Sequence, residues 1–536
     1  MSANLAENTD NSTDETTADL KLRGLCANEL IFALVGPVGS GTSEIALTLS
    51  GILSGTDYGI DPHVIKASDV ITVSPPHDTK LKRILGLQNA GDEMRKKDQA
   101  ALAVKLISKI KEKRDDLDCR SESTIPLSSV NINNNKVKIK RAYIIDSLKH
   151  PAEVELLRAV YKEAFCLIGV VCEEDIREKR LSKEKLRASS LDEVTDLMKR
   201  DEDSDLPYGQ KVADTFHLAD FFVSNSINRF SGDDKTTSNP LWDVPEQIVR
   251  LVDLLTFRKI IRPTPSESGM FHAYGAKLRS ACLSRQVGAA LLDSNGNVVS
   301  TGTNEVPRAG GGVYGGRFSD ANPKKPAPDH RCANHQKNCS NTKTQKEIIN
   351  TIINQVPALK DVQDNEEIAA QLKKTQIGRL LEYSRAVHAE MDALISAGRT
   401  GASTIGTRLF VTTFPCHYCA RHIVSAGVDE VQYIEPYPKS KALDLHGDAI
   451  TRSSEEWVPP SSLLESGDSE RDAKVLFRAF TGVAPRLYRQ AFFKDRALKN
   501  NIGDLAIGEA DYASGLLRLN YRDIEDSLLN LKTEGG

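Results

Sequence analysis

The sequence predicts an α/β protein in two parts, on three observations. Short apolar runs alternate with helical stretches through the first half of the chain, the pattern of a parallel sheet covered by helices. A hairpin signal and further strand–helix alternation fill the second half. Between them lies RPTPSESG, residues 262–269, rich in chain breakers and therefore a boundary. At 536 residues the chain has room for about two to four domains. The expected layout is a tail over 1–24, a domain over 25–260, a linker over 261–269 and a second domain over 270–536, with an insertion at 308–383.

The tail, MSANLAENTDNSTDETTADL onward, is acidic and polar and reads as disordered. Glu29 to Val35 is an apolar run of the kind found in buried parallel strands. Thr42 to Leu53 reads as a helix. Ala142 to Ile145 forms a second apolar run ending at Asp146, Phe165 to Val171 a third, and Ala219 to Val223 a fourth. Residues 173–205 are densely charged and read as a solvated helical lid or arm. In the second half, Val287–Leu292 and Asn297–Gly302 flank Asp293–Gly296, a hairpin turn signal. Leu409–Thr413 and Val431–Ile434 read as further strands.

Between the first run and its helix stands Gly36-Pro37-Val38-Gly39-Ser40-Gly41-Thr42-Ser43, the frame of a phosphate-binding P-loop. Such loops need glycines so that successive backbone N–H groups can wrap a phosphate. Thr42 stands where a lysine would reach the outer phosphates, which argues against phosphoryl transfer. Asp146 reads either as a metal-holding carboxylate or as a cap or turn residue. The first domain is thus expected to be a P-loop-like parallel α/β domain resembling nucleoside monophosphate kinases. It would bind a nucleotide, survive as a structural relic, or act as a kinase.

The strongest chemistry lies in the second half. His388-Ala389-Glu390 opens one helical stretch, and Pro415-Cys416-His417-Tyr418-Cys419 opens another. One histidine and two cysteines make three protein ligands for zinc and leave the fourth position open, as in catalytic sites. Thiols at a helix start are eased toward thiolate by the helix dipole. Glu390, two residues from a ligand, is placed to move protons while His388, Cys416 and Cys419 hold the metal. H-x-E followed by P-C-x-x-C is the signature of zinc deaminases acting on nucleobases.

These residues resemble the cytidine and deoxycytidylate deaminase family across roughly residues 270–440. The likeness is carried by CLSRQVGAALLDSNGNVVSTGTNEVP, VHAEMDALISAG and LFVTTFPCHYCARHIVSAGVDEVQYIEPY. The resemblance implies a deaminase-like α/β/α domain and a hydrogen bond from Asn304 to the sugar or base of the nucleotide. It also implies a homo-oligomer. With a P-loop-like domain in front, the whole layout is similar to the bacterial anti-phage dCTP deaminases. That similarity implies dCTP, and dCMP with it, as substrate, depletion of dCTP as the outcome, and an inhibitor that holds the enzyme quiet in uninfected cells.

Cys332, His335 and Cys339 cluster in DHRCANHQKNCSN and read equally as a second, structural zinc site or as a polar loop. The Gly-rich segment 309–316 and the insertion are expected to close over a small pocket. VLFRAFTGVAPRLYRQAF is expected to pack over the second core; Arg486 and Tyr488 read first as surface and core residues and only weakly as phosphate candidates, and Arg285 is another weak phosphate candidate. The net charge of -4 and 6% aromatic content weigh against a polynucleotide cytidine deaminase, which needs a basic channel and stacking rings. A nucleotide-sensing regulatory protein is the non-enzymatic alternative. No run of eighteen apolar residues predicts a membrane span. Nine dispersed cysteines without an export signal point to a reducing cytoplasm.

Overall fold

A computed structural model describes residues 29–530 except 73–79, 125–139, 186–190, 203–207, 232–235, 323, 326, 361–363, 438, 467–471, 495–497, 500–501, 506–507 and 509–517. The tail expected at 1–24 lies outside the described residues. The chain divides into two compact units, one of residues 1–261 with 489–536 and one of residues 262–488. Residues 489–536, which the sequence reading attaches to the second domain, group with the first unit. No helix among the described residues is long and apolar enough to cross a membrane.

In the first unit the strands β1 (Glu29–Val35), β2 (Asp61–Lys66), β3 (Arg141–Asp146), β4 (Phe165–Val171) and β5 (Phe221–Ser224) lie in the order β5-β4-β1-β3-β2, all parallel. Every residue of β1 and β3 is buried, as strands covered on both faces must be. The chain leaves β1 toward β3 and β2 on one side and returns to β4 and β5 on the other. The end of β1 is therefore the switch point where open α/β sheets bind ligands. Helix α1 (Thr42–Ser54) starts there, directly after the glycine loop.

Other helices of this unit include α2 (Lys80–Lys97), α3 (Ala101–Thr124), α4 (Pro151–Tyr161), α5 (Leu191–Glu202), α6 (Val244–Leu255) and, far along the chain, α12 (Arg518–Asn530). The stretch expected as a solvated arm is amphipathic instead. Leu181, Val194, Leu197 and Met198 are buried against Val38, Leu81, Ile84 and Leu85. Helix α12 belongs here because Arg114 requires it. The buried Arg114 donates through Nε to Glu29 at 3.0 Å and through Nη1 to Glu525 at 2.7 Å. Tyr521 donates to Glu29 at 2.6 Å and Tyr161 to Glu525 at 2.7 Å. A buried guanidinium is tolerated only when paired in this way.

The second unit holds β6 (Gly288–Leu292), β7 (Val298–Thr303), β8 (Arg408–Thr413), β9 (Glu430–Glu435), β10 (Ile450–Thr451) and β11 (Val475–Ala479), ordered β10-β11-β9-β8-β6-β7. The four strands β10, β11, β9 and β8 run parallel, and β6 and β7 form the antiparallel hairpin at the edge. The segment expected only to pack over the core thus adds a strand, β11, to the sheet. Its helices include α7 (Pro265–Lys277), α8 (Ser340–Gln355), α9 (Asn365–Lys374), α10 (Ala389–Thr400) and α11 (His417–Ser425).

Two glycines fix how deeply α7 and α10 sit. A Cβ on Gly288 would stand 2.0 Å from the carbonyl of Ala273 in α7, and one on Gly302 would stand 2.0 Å from the carbonyl of Ala389 in α10. Gly302 pairs with Ala289, the neighbour of Gly288, so the two positions face opposite sides of the pleat. The unit is therefore layered α/β/α. Gly302→Ala is expected to push the start of α10 off the sheet, costing about 1–3 kcal/mol of stability and weakening metal retention at His388. Urea unfolding followed beside zinc content checks both.

Candidate active site

Two helix starts meet in the second unit. His388 is the extended N-cap residue of α10 (φ -75°, ψ 155°), and Cys416 that of α11 (φ -69°, ψ 165°). Asp392 anchors α10 by accepting the backbone N–H of Thr303 at 3.0 Å. Strand β8 delivers the chain through Phe414 and Pro415 to Cys416, and Cys419 lies in the first turn of α11. The His388 Nδ1 is 3.3 Å from the Cys416 sulfur and 3.4 Å from that of Cys419. The three ligand atoms lie within 4.8 Å of one another. Ligand atoms of a tetrahedral zinc site stand about 3.5–3.8 Å apart, so this donor set fits the ion with little adjustment.

The electrostatics point the same way. A hydrogen bond with Cys419 pulls the Cys416 thiol down to about 4, and His388 adds to the effect. Cys419 moves in the opposite direction, pushed well up by its bond to Cys416 and by burial. The pair thus holds one thiolate readily, and a bound dication draws off the second proton. The Cys416 thiol beside His388 pushes its imidazole up to about 9. Burial pushes the Glu390 carboxyl up to about 7. An acid balanced near neutrality can both take and return a proton.

His388, Glu390 and Cys416 border a cavity of ≈ 160 Å³. Its other walls include Arg285, Asn304, Phe414 and Tyr437, with Cys332, Leu381 and Arg385 from within and just beyond the insertion. Asn304 is 7% exposed. Its carboxamide oxygen accepts from the Val287 N–H at 2.7 Å, and its nitrogen donates to the Arg285 carbonyl at 2.6 Å. Asn304 therefore shapes the loop carrying Arg285, with one N–H and one lone pair left over. The Arg285 guanidinium lies 5.9 Å from the centre of the Tyr437 ring. Phe414, Tyr437 and Arg385 escaped the sequence reading. Phe414 and Tyr437 lie within the stretch 409–437 that carries the resemblance, so that stretch was the available signal; Arg385 offered none.

The structure bears on three further readings: it favours the polar loop at 332–339 and the core and surface roles of Tyr488 and Arg486, and it corrects the place of the Gly-rich segment. Among the described residues, His388, Cys416 and Cys419 are the group of three ligands that converges; Cys332, His335 and Cys339 do not. His335 instead packs edge-on against His330, 4.8 Å between ring centres, while Cys332 and Cys339 border the cavity. The Gly-rich segment does not close over that cavity. Gly310, Gly311, Gly312 and Gly316 line a different one, with Arg279, Arg317 and Arg399. Tyr488 is stacked on Phe271 at 4.1 Å and Arg486 is exposed, both away from the cavity walls.

In the first unit Gly36 to Gly41 form the turn between β1 and α1, and Thr42 and Ser43 open the helix. Gly39 and Gly41 adopt φ of 86° and 90°, a conformation in which side chains are strained. Ser43 donates to Asp146 at 2.6 Å, and Asn225 donates to the Ser40 carbonyl at 2.8 Å. Asp146 thus faces the loop rather than capping a helix.

Residues 264–435 match the family model of the cytidine and deoxycytidylate deaminase zinc-binding region. A deoxycytidylate deaminase of Enterobacteria phage T2 is 28% identical over 173 residues, 32% of this chain and 79% of that protein. ComE operon protein 2 of Bacillus subtilis (strain 168) is 39% identical over 54 residues, 10% of this chain and 29% of its own length. A dCMP deaminase from the cyanophage S-TIM5 aligns with 41% of this chain and 100% of its own, at 17% identity and a TM-score of 0.22. The family match and the phage relative support a deaminase of the cytidine and deoxycytidylate type in the second unit, and the matched region implies zinc.

Cys416→Ser and Cys419→Ser should each lower zinc affinity by more than the roughly 10–100-fold typical of outer contacts, with activity lost alongside. Cys332→Ser should keep the wild-type zinc content. Metal analysis of the purified full chains checks this.

Proposed function

We propose that the second unit hydrolyses the exocyclic amine of deoxycytidine nucleotides, dCMP and dCTP, to give the deoxyuridine nucleotide and ammonia. The observation that carries this is the convergence of His388, Cys416 and Cys419 beside the buried carboxyl of Glu390. A zinc ion held by those three residues supplies the Lewis acidity that makes water a nucleophile near neutral pH. Glu390 takes the proton released by the attacking water, passes it to the ring nitrogen, and carries a second proton to the departing amine. Phe414 and Tyr437 line the cavity with aromatic surface for the base. Arg285 and Arg385 put positive charge on the same walls, suited to a phosphate.

The resemblance to bacterial anti-phage dCTP deaminases extends the reading to dCTP depletion during phage infection, in a cytoplasmic homo-oligomer restrained by an inhibitor until then. The loop Gly36–Ser43 is read as binding a nucleotide phosphate and tuning the deaminase without transferring phosphate. Thr42 can hydrogen-bond a phosphate but cannot neutralise it.

Ammonia release from dCTP, dCMP, cytidine and a single-stranded oligodeoxynucleotide, assayed side by side, tests the substrate class. Turnover of the two nucleotides is expected, and preference for the oligonucleotide would replace this reading with polynucleotide editing. Glu390→Gln should slow turnover by about 10²–10⁴-fold while zinc stays bound. A rate within about tenfold of wild type would remove Glu390 from proton transfer.

A further inference from the structure

The glycine loop already holds an anion, one of the protein's own. Asp201, in the last turn of α5, is 2% exposed. Its Oδ2 accepts the backbone N–H of Val38 at 2.7 Å. The same carboxylate pairs with the Lys149 ammonium at 3.0 Å, and Lys149 also donates to the Gly36 carbonyl at 3.1 Å. A loop N–H of the kind that grips a phosphate is thus occupied by a carboxylate with a cation beside it. Lys149 comes from the turn after β3, far in sequence from Thr42, so the loop does have a lysine at hand.

Other groups at the loop are left short of partners. Ser40 is 1% exposed and its hydroxyl has no hydrogen-bond partner among the described residues. Arg177 is 6% exposed, and its Nε and Nη1 are likewise bare. The Cβ of Arg177 lies 3.2 Å from where a Cβ on Gly39 would stand, so this residue packs directly on the loop. Buried donors are normally satisfied, and leaving them bare is costly. A phosphate chain brings several charged acceptor oxygens, where the Asp201 carboxylate brings two.

We propose that Asp201 is a resident stand-in for a phosphate, and that the polyphosphate chain of a nucleotide binds this loop by displacing it. The incoming phosphates take the Val38 N–H, Lys149, Ser40 and the bare donors of Arg177. The expelled Asp201 frees the end of α5, whose Val194, Leu197 and Met198 pack in one cluster with Val38. Phosphate binding is thereby coupled to the docking of α5, and the coupling is reciprocal: whatever loosens α5 tightens binding. This rests on the reading of Gly36–Ser43 as a phosphate site and adds how that site is gated.

The test uses the full chain, with MgATP and inorganic tripolyphosphate as probes. Asp201→Asn keeps the shape and removes the competing charge, and it should bind both probes at least about tenfold more tightly than wild type. Lys149→Met should weaken binding in either background. A preference for ATP identifies a nucleotide as the source of the phosphates, and equal binding identifies the phosphate chain alone; both support the exchange. In the wild-type chain, saturating MgATP should raise amide hydrogen exchange across residues 191–202. If wild type and Asp201→Asn bind neither probe, the phosphate reading of the loop falls and the proposal with it. If both bind equally, the loop is a phosphate site and the displacement is overturned. Should Asp201→Asn fail to fold, unchanged exchange over 191–202 in ATP-bound wild type overturns the displacement by itself.

Discussion

The second unit depends on one meeting point, where the starts of two helices bring His388, Cys416 and Cys419 within 4.8 Å of one another. Neither helix can place those atoms alone. Helix α10 is set by its contact on Gly302 and by the Asp392 bond to the backbone of β7. Helix α11 is set by the end of β8, a strand held between β9 and β6. The three candidate ligands are therefore positioned by the sheet, and a bound metal would add to a geometry that packing has already established. Glu390 is carried on the same first turn as His388, so its burial and raised proton affinity follow from the same docking.

The first unit uses the same physics for a different purpose. Its central strand ends at a glycine turn that leads directly into a helix start, an arrangement that attracts negative charge. One unit places thiols and an imidazole at such starts. The other places a glycine loop, with Asp146 and Ser43 already joined beneath it. In both, the side chains that complete the site arrive from elsewhere in the chain.

That division explains what was legible in the sequence. The runs at Glu29–Val35 and Phe165–Val171 were read with their observed bounds because a strand buried on both faces is apolar throughout. The candidate zinc ligands His388, Cys416 and Cys419 were readable as a group because each sits within a few residues of its helix start. Strand β2, DPHVIK, was missed because it is a half-exposed edge strand containing Asp, Pro and His. Strand β11 was missed because its pairing with β9 spans a long loop. Lys149 and Asp201 reach the glycine loop only through tertiary structure, and no local pattern marks them. The cysteines and histidine at 332–339 show the opposite failure: suitable spacing along the chain, but no convergence in space.

The pairing of Arg114 with both Glu29 and Glu525 has a consequence for how the protein is made. Translation runs from the first residue to the last, so Arg114 and Glu29 leave the ribosome long before Glu525 does. Until then the guanidinium lacks one of its two carboxylates, and burying an incompletely compensated charge is costly. The whole of residues 262–488 emerges in that interval. The deaminase-like unit is therefore one uninterrupted stretch of chain, whereas the glycine-loop unit is complete only when residues 489–536 have joined residues 1–261.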